Sequence, residues 1–201
     1  RHPVMLNGTR VLDRTGDIAG PYCTKLLADA GADVVRVEPA GGDPLRRWRS
    51  GALFAFLNAS KRSVTEVGDL EVGADLLVTD GPIALERLWD ANPTLVVVTI
   101  TPFGADGPWS GRPATEFTLQ GSAGSIGHRG WPESEPLAAG GRLGEWITGT
   151  YAAVGALAAL RSARATGRGD VADVALLDCM AATMAPFPSV FAGFLHSPPS
   201  I

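Results

Sequence analysis

The sequence predicts an α/β protein built on a Rossmann-like parallel sheet with flanking helices. Three observations carry that expectation. In the first half of the chain short β-rich runs alternate with helical stretches, an order that implies parallel strands joined by right-handed crossovers. Two of the runs, residues 74–78 and 95–100, are nearly all apolar, as strands covered on both faces should be. Stretches rich in glycine and proline, above all residues 102–113, separate the periodic segments and read as loops.

Arg10-Val11-Leu12 is the first strand candidate. A turn at residues 15–20 follows, and Pro21 then opens a helix, where its missing N–H would have no partner anyway. Tyr22, Leu26 and Ala30 recur at spacing four along that helix, and Gly31 stops it. Residues 33–37 read as the second strand, 74–78 as the third and 95–100 as the fourth, with a short helix over 84–89 between the last two. Residues 121–144 read as a second long loop. From 145 to 164 the pattern is helical, with Ile147, Tyr151, Val154 and Ala158 on one face. Residues 166–169 make a turn and 171–176 a strand. A helix follows from 178 to about 194, which Pro186 and Pro188 should break or kink.

The 201 residues suffice for one substantial domain, or for one with part of a second. Apolar residues make up 45% and charged residues 19%, which excludes a disordered chain. The net charge is −4 with acids and bases interspersed, so no basic stripe marks nucleic acid as a partner. The most apolar stretch, 146–160, is shorter than a bilayer span and runs into Arg161 and Arg164, so no membrane partner is expected. Cys23 and Cys179 form no CxxC pair, and with three histidines they are too few for a metal framework. They read as reduced thiols of a cytoplasmic protein, with no metal. The chain starts at Arg1 and stops at Ile201 just after Pro198-Pro199. Both ends read as cuts in a longer polypeptide.

The turn at residues 16–21 lies where an open α/β sheet binds ligands, beyond the carboxyl ends of strands, where the N–H groups of a helix start can meet phosphate. The dinucleotide fingerprint GxGxxG is absent there. Gly121-Ser-Ala-Gly124-Ser-Ile-Gly127 has the wrong spacing and no strand before it, and neither GxxxxGK[ST] nor GxSxG occurs. A different set of motifs is present. Val11-Leu12-Asp13 leads, followed by Ala19-Gly20-Pro21-Tyr22-Cys23-Thr24, by the run from Leu26 through Gly31 to Val34, and by Val37-Glu38-Pro39 with Gly41-Gly42-Asp43. Asn58 with Lys61-Arg62-Ser63 comes next, then Asn92-Pro93, Phe103-Gly104 and Gly107-Pro108. Thr148-Gly149 with Tyr151-Ala152-Ala153, Thr166-Gly167-Arg168-Gly169, Asp173-Val174 and Leu177-Asp178 complete the series. Each is weak alone. In this number and order the set resembles the N-terminal part of class III CoA-transferases, the carnitine dehydratase/bile-acid-inducible type to which formyl-CoA transferase-like proteins belong.

That resemblance implies a Rossmann-like large domain followed by a small domain and a glycine-rich lid. Residues 1–201 would then be a large domain, incomplete and without the small one. It implies coenzyme A, as a thioester substrate, with acyl-CoA and a small carboxylic acid as partners. Family subunits interlock like links of a chain, so a homodimer, or a pairing with a second family domain, is implied too. The absent segments should leave an apolar face exposed.

In these transferases an Asp carboxylate attacks the acyl-CoA thioester, giving a mixed anhydride and then an enzyme-bound thioester. The matching residue is Glu145, in Gly144-Glu145-Trp146-Ile147-Thr148-Gly149. Glu can make the same attack, although its extra methylene displaces the carboxylate by roughly 1 Å, and a shift of that size can cost about 100-fold. The other reading of Glu145 is a solvent-exposed or N-terminal helix carboxylate favouring the helix dipole. For CoA contact the resemblance implies Ile18, Ala19, Gly20 and Pro21 in the intact turn, Gly81 in the reduced motif Val78-Thr79-Asp80-Gly81-Pro82-Ile83, Arg87, and Glu116. Arg87 reads equally as a solvated helix arginine, and Lys61 and Arg62 as structural pairing residues.

The chain departs from the family pattern at several points. Ser60 replaces an Asn. Glu66-Val67-Gly68-Asp69 puts an acid where a base normally meets the nucleotide, and the helix that should follow is nearly missing. Thr115 stands where the racemising branch has the His of G-H-D and transferases the Tyr of G-Y-D, and His2, His128 and His196 do not match that base. A 2-methylacyl-CoA racemase is therefore the weakest reading. Two others stand: an acyl-CoA:carboxylate CoA-transferase acting through Glu145, and a catalytically degenerate CoA-transferase-like module serving as a partner or scaffold half.

Overall fold

The structure, a computed structural model, describes residues 5–131 and 133–184. Six strands form one sheet: β1 (Arg10–Arg14), β2 (Asp33–Val37), β3 (Arg62–Val64), β4 (Leu76–Thr79), β5 (Val96–Thr101) and β6 (Val171–Ala175). Their order across the sheet is β3-β2-β1-β4-β5-β6, and every pairing is parallel. The helices are α1 (Ala19–Asp29), α2 (Ala52–Leu57), α3 (Leu70–Gly73), α4 (Leu85–Ala91), α5 (Glu116–Ser122), α6 (Leu143–Thr166) and α7 (Leu176–Met184). The chain winds outward from β1 through β2 to β3, then returns to the other side of β1 with β4. The direction of winding therefore switches between β1 and β4, and the crevice beyond the carboxyl ends of those strands is where such sheets bind ligands.

Alternation along the strands sorts the core into two layers. Val11, Val34, Leu76, Val78, Val96 and Val98 face α1 and α6, where they meet Cys23, Leu27, Ala152, Ala156 and Leu160. Leu12, Val35, Leu77 and Val97 face the opposite side, where Leu70, Leu85, Leu88 and Trp89 cover them. With both faces covered, the inner strands have no reason to carry polar side chains until they reach their ends.

The structure shows which faces of two helices point inward, a choice the sequence pattern left open. On α6 the buried positions are Gly144, Glu145, Thr148, Gly149, Ala152, Ala153, Ala156, Ala159, Leu160 and Ala163. Tyr151 and Val154 instead stand 45% and 62% exposed, and with Ile147, Thr150 and Thr183 they line an open apolar groove. The cause is spacing. A Cβ added at Gly149 would lie 2.6 Å from the Ala19 carbonyl oxygen and 3.1 Å from the Tyr22 ring, so only a stripe of small residues lets α6 approach α1 this closely. On α1 the inward residues are Gly20, Cys23, Thr24 and Leu27, whereas Tyr22 packs edge-on against Trp146 at a centroid distance of 4.8 Å. The helix also starts two residues before Pro21, which still falls in the first turn and so forfeits no bond.

Two elements carry no strong sequence signal. β3 is a three-residue edge strand, Arg-Ser-Val, with no apolar run. Helix α5 begins where Thr115 caps it, its Oγ1 accepting from the Thr118 N–H at 3.2 Å. The predicted helix up to about residue 194 is described only as far as Met184; its remainder, with Pro186 and Pro188, lies outside the described residues.

We expect Gly149→Ala to lower unfolding free energy by about 1–3 kcal/mol, the usual cost of overpacking a tight contact. Val154→Ala, on the exposed side of the same helix, should change it by less than about 0.5 kcal/mol. Urea denaturation of the two variants checks both.

Candidate functional site

The site begins with a charge at the end of β1. Asp13 shares the sheet face of Val11, so the strand's alternation drives its carboxylate into the interior, where it is fully buried. Thr15 donates to it through N–H at 3.2 Å and Oγ1 at 2.6 Å. Thr24 of α1 donates at 2.6 Å, Arg36 of β2 at 3.2 Å and Lys61 at 3.2 Å. Burial alone would raise the Asp13 pKa, but Lys61 and Arg36 outweigh it and hold the group below its ordinary value. The network runs on from Arg36 to Asp43 and from the Asp43 N–H to Glu38 at 3.1 Å. Arg46 grips Glu38 with two bonds of 2.6 Å. That grip, with Ser63, brings Glu38 down to about 2. Lys61 also donates to the Pro21 carbonyl at 2.8 Å and to Asn58 at 3.1 Å. The Asn-Lys pair of the sequence motif is therefore structural, and Arg62 pairs with Asp33 on the surface.

This hub fixes the turn from Thr15 to Ile18. Gly20 is required there, because a Cβ on it would fall inside the Thr15 side chain. The turn ends with the Ile18 N–H pointing at α6, where it donates to Oε2 of Glu145 at 2.8 Å. Glu145 sits in the first turn of α6 and is only 6% exposed, so it is not solvent-exposed but does stand as a carboxylate at a helix N-terminus. Its other oxygen takes a bond from Arg142, and the Arg142 guanidinium also reaches Oδ1 of Asp17 at 3.1 Å. Burial pushes the Glu145 carboxyl above its ordinary value, while Arg142 and the Ile18 N–H pull against that shift. The backbones of Asp17 and Arg142 are both left-handed, with φ of 50° and 55°, a conformation uncommon outside glycine.

A cleft of about 250 Å³ opens above Glu145. Asp17, Ala19, Gly20, Asp80, Ile100, Pro102, Glu116, Arg142 and Glu145 are among the residues lining it. It lies beyond the carboxyl ends of β1, β4 and β5, on the switch in the winding. Asp80 accepts from the Gly16 N–H at 2.6 Å, and burial raises its pKa. Glu116 braces the start of α6, its Oε1 accepting from the Gly144 N–H at 2.8 Å, while its Oε2 is buried with no hydrogen-bond partner.

Of the residues singled out in the sequence, the structure brings Ala19, Gly20, Glu116 and Glu145 to this cleft, with Ile18 bonded to Glu145 from below. Pro21 is buried in α1. Gly81 turns back onto Thr79, its N–H donating to Oγ1 at 3.2 Å. Arg87 lines a separate hollow with Arg14, Glu71 and Pro82. Arg142, Asp17 and Asp80 were not foreseen. The available signals were Gly140-Gly141 ahead of an arginine and the acid in place of asparagine at position 80.

A doubly wound sheet with a buried carboxylate at the switch point, between the starts of two helices, defines the class of protein. The chain belongs to CoA-transferase family III, whose model matches residues 6–76 and 82–192. It is 37% identical over 195 residues to the formyl-CoA:oxalate CoA-transferase of Streptomyces avermitilis, covering 85% of this chain and 47% of that protein. The succinate–glutarate CoA-transferase of Agrobacterium fabrum is 33% identical over 213 residues, with 90% of this chain and 53% of that one covered. The crystal structure of a CAIB/BAIF family protein from Brucella suis superposes with a TM-score of 0.86 at 30% identity, over 96% of this chain and 58% of that one. The chain thus spans about half the length of the curated relatives it matches.

We expect Asp13→Ala to destabilise the fold by about 3–5 kcal/mol, since it strands the buried Lys61 ammonium and leaves the buried Arg36 with Asp43 alone. The Asp13 pKa is lowered on folding, so its contribution is complete above the ordinary 3.8 and is lost as pH falls below that value. Thermal unfolding of the wild type and Asp13→Ala between pH 7 and pH 3 should show the gap narrowing toward acid.

Proposed function

We propose that this chain provides the nucleophile of an acyl-CoA:carboxylate CoA-transferase, and that Glu145 is that nucleophile. The observation that carries the reading is the placement of Glu145. The resemblance matches it to the family's nucleophile, and the residue is buried at the base of the cleft on the switch point, where it takes a hydrogen bond from the Ile18 N–H at the cap of α1. Its carboxylate oxygen attacks the thioester carbonyl, the C–S bond breaks, and CoA leaves as thiolate from a mixed anhydride. The thiolate then attacks the Glu145 carbonyl, releasing the donor acid and leaving CoA in thioester linkage on Glu145. An acceptor carboxylate attacks that thioester and the same two steps run in reverse. No proton or electron is consumed. In this reading the Ile18-Ala19-Gly20-Pro21 turn lies against CoA. Glu116 holds the start of α6 beside the thioester, and the hollow with Gly81 nearby and Arg87 in its wall takes the phosphates. The remainder of the site would come from a second copy or from a paired family domain. Two unbonded cysteines fit a cytoplasmic setting.

A second reading, a non-catalytic partner module, is favoured by one feature: both oxygens of Glu145 are already bonded, by Ile18 and by Arg142. Incubating the full-length protein with acetyl-CoA and analysing the Glu145 peptide by mass spectrometry separates the two. The transferase reading expects a CoA adduct on Glu145 that Glu145→Gln abolishes. No adduct on the wild type would leave the partner-module reading. Because the carboxylate must be ionised to attack and burial raises its pKa, kcat/KM should climb with pH along an acid limb centred above the ordinary 4.5.

A further inference from the structure

We infer that Arg142 is the receptor for the acceptor acid's carboxylate, held shut by Glu145 at rest and freed when Glu145 is acylated; this rests on the transferase reading above. The cleft presents four carboxylates, those of Asp17, Asp80, Glu116 and Glu145, and Arg142 is the one cation lining it among the described residues. An anionic acceptor entering this field is repelled everywhere except at that guanidinium. A guanidinium is a planar fork matched to a carboxylate, and carboxylates are what Arg142 binds already: Oδ1 of Asp17 at 3.1 Å and an oxygen of Glu145.

The two partners hold it unequally. Asp17 is 72% exposed, and an exposed pair is weak and readily exchanged. Glu145 is buried and is the stronger partner. Acylation changes that balance, since a carboxylate of charge −1 becomes a neutral anhydride or thioester. Arg142 then faces the cleft with its buried counter-charge gone, beside the carbonyl carbon that the acceptor must attack. The segment before it is open, tied to α6 by the Gly141 carbonyl, which accepts from Nε1 of Trp146 at 3.1 Å. Gly140 and Gly141 precede Arg142, and a Cβ at either would meet nothing within 4 Å. Asp17 and Arg142, which face each other, both have left-handed backbones, a conformation that carries a modest cost outside glycine. The arrangement makes acceptor binding conditional on prior acylation. The free enzyme has little affinity for the acid, so acid does not block the cleft before acyl-CoA arrives.

Glu145→Gln reproduces the neutral state without chemistry and leaves an oxygen for the Ile18 N–H. In calorimetric titrations of the full-length protein with succinate at low salt, Glu145→Gln should bind at least about tenfold tighter than wild type. Adding Arg142→Gln should remove that gain, and Arg142→Lys should retain part of it, since the point charge survives without the fork. Circular dichroism confirms that each variant is folded. Equal succinate affinity in wild type and Glu145→Gln, or tight binding that persists in the double variant, overturns the inference. The adduct experiment on Glu145 reads the transferase chemistry separately. Tight, Arg142-dependent succinate binding without a wild-type adduct would keep the carboxylate receptor and remove the transfer reaction. An adduct formed in a protein whose succinate affinity ignores both residues would do the reverse.

Discussion

A single buried charge organises this molecule. The period of a β-strand places Asp13 on the inner face of β1, and an isolated carboxylate there would be prohibitively costly. The chain meets it with two cations and with hydroxyl and amide donors from the turn and α1. The donors come from four segments, so satisfying one carboxylate fastens β1, the Thr15 turn, α1, β2 and the approach to β3 together. The direction of the Ile18 N–H follows from that fastening. The same network that permits a charge in the core therefore aims the donor that meets Glu145.

The second constraint is the contact of α1 with α6. Gly149 and the alanines of α6 let the two helices close to van der Waals distance, and that closeness sets their N-terminal turns on either side of one cleft. A larger residue on this stripe would push α6 away and draw Glu145 from Ile18 with it. Packing and chemistry are in this sense one requirement. The bulky apolar residues that the stripe excludes are left on the outer side of α6, where Tyr151 and Val154 stand exposed.

The sequence made the sheet legible because its inner strands are short apolar runs between turn residues, and burial on both faces leaves no other pattern. It did not reveal β3, whose three residues hold an edge through Arg62 and Ser63, or α5, whose seven residues are set by a Thr115 cap. The spacing of large apolar residues placed Ile147, Tyr151 and Val154 on one face of α6 but left open which face points inward, because a close helix pair buries small residues and leaves large ones outside. The motif around Thr148-Gly149 is what singles out Glu145 in the sequence. Its burial was not, since its partner Ile18 is 127 residues away. Arg36 offered a missed clue, as a charge within the apolar run Asp33–Val37 can only be tolerated against a buried counter-charge. Arg142 and Asp17 meet across 125 residues through two left-handed backbones, a juxtaposition that no local pattern encodes.

The glutamate at position 145 looks like erosion when compared with an aspartate pattern, but the geometry gives it a different meaning. The carboxylate has to cross from the first turn of α6 to the Ile18 N–H of α1, and it does so at 2.8 Å. The separation it spans is fixed by backbone against backbone, with Gly149 already at the limit of approach. An aspartate on the same backbone would fall short by roughly 1 Å, enough to break the hydrogen bond to Ile18. In this chain the longer side chain is the one that fits the gap between the helices. The substitution and the helix spacing are two halves of a single geometry, and the extra methylene keeps the carboxylate within reach of both Ile18 and Arg142.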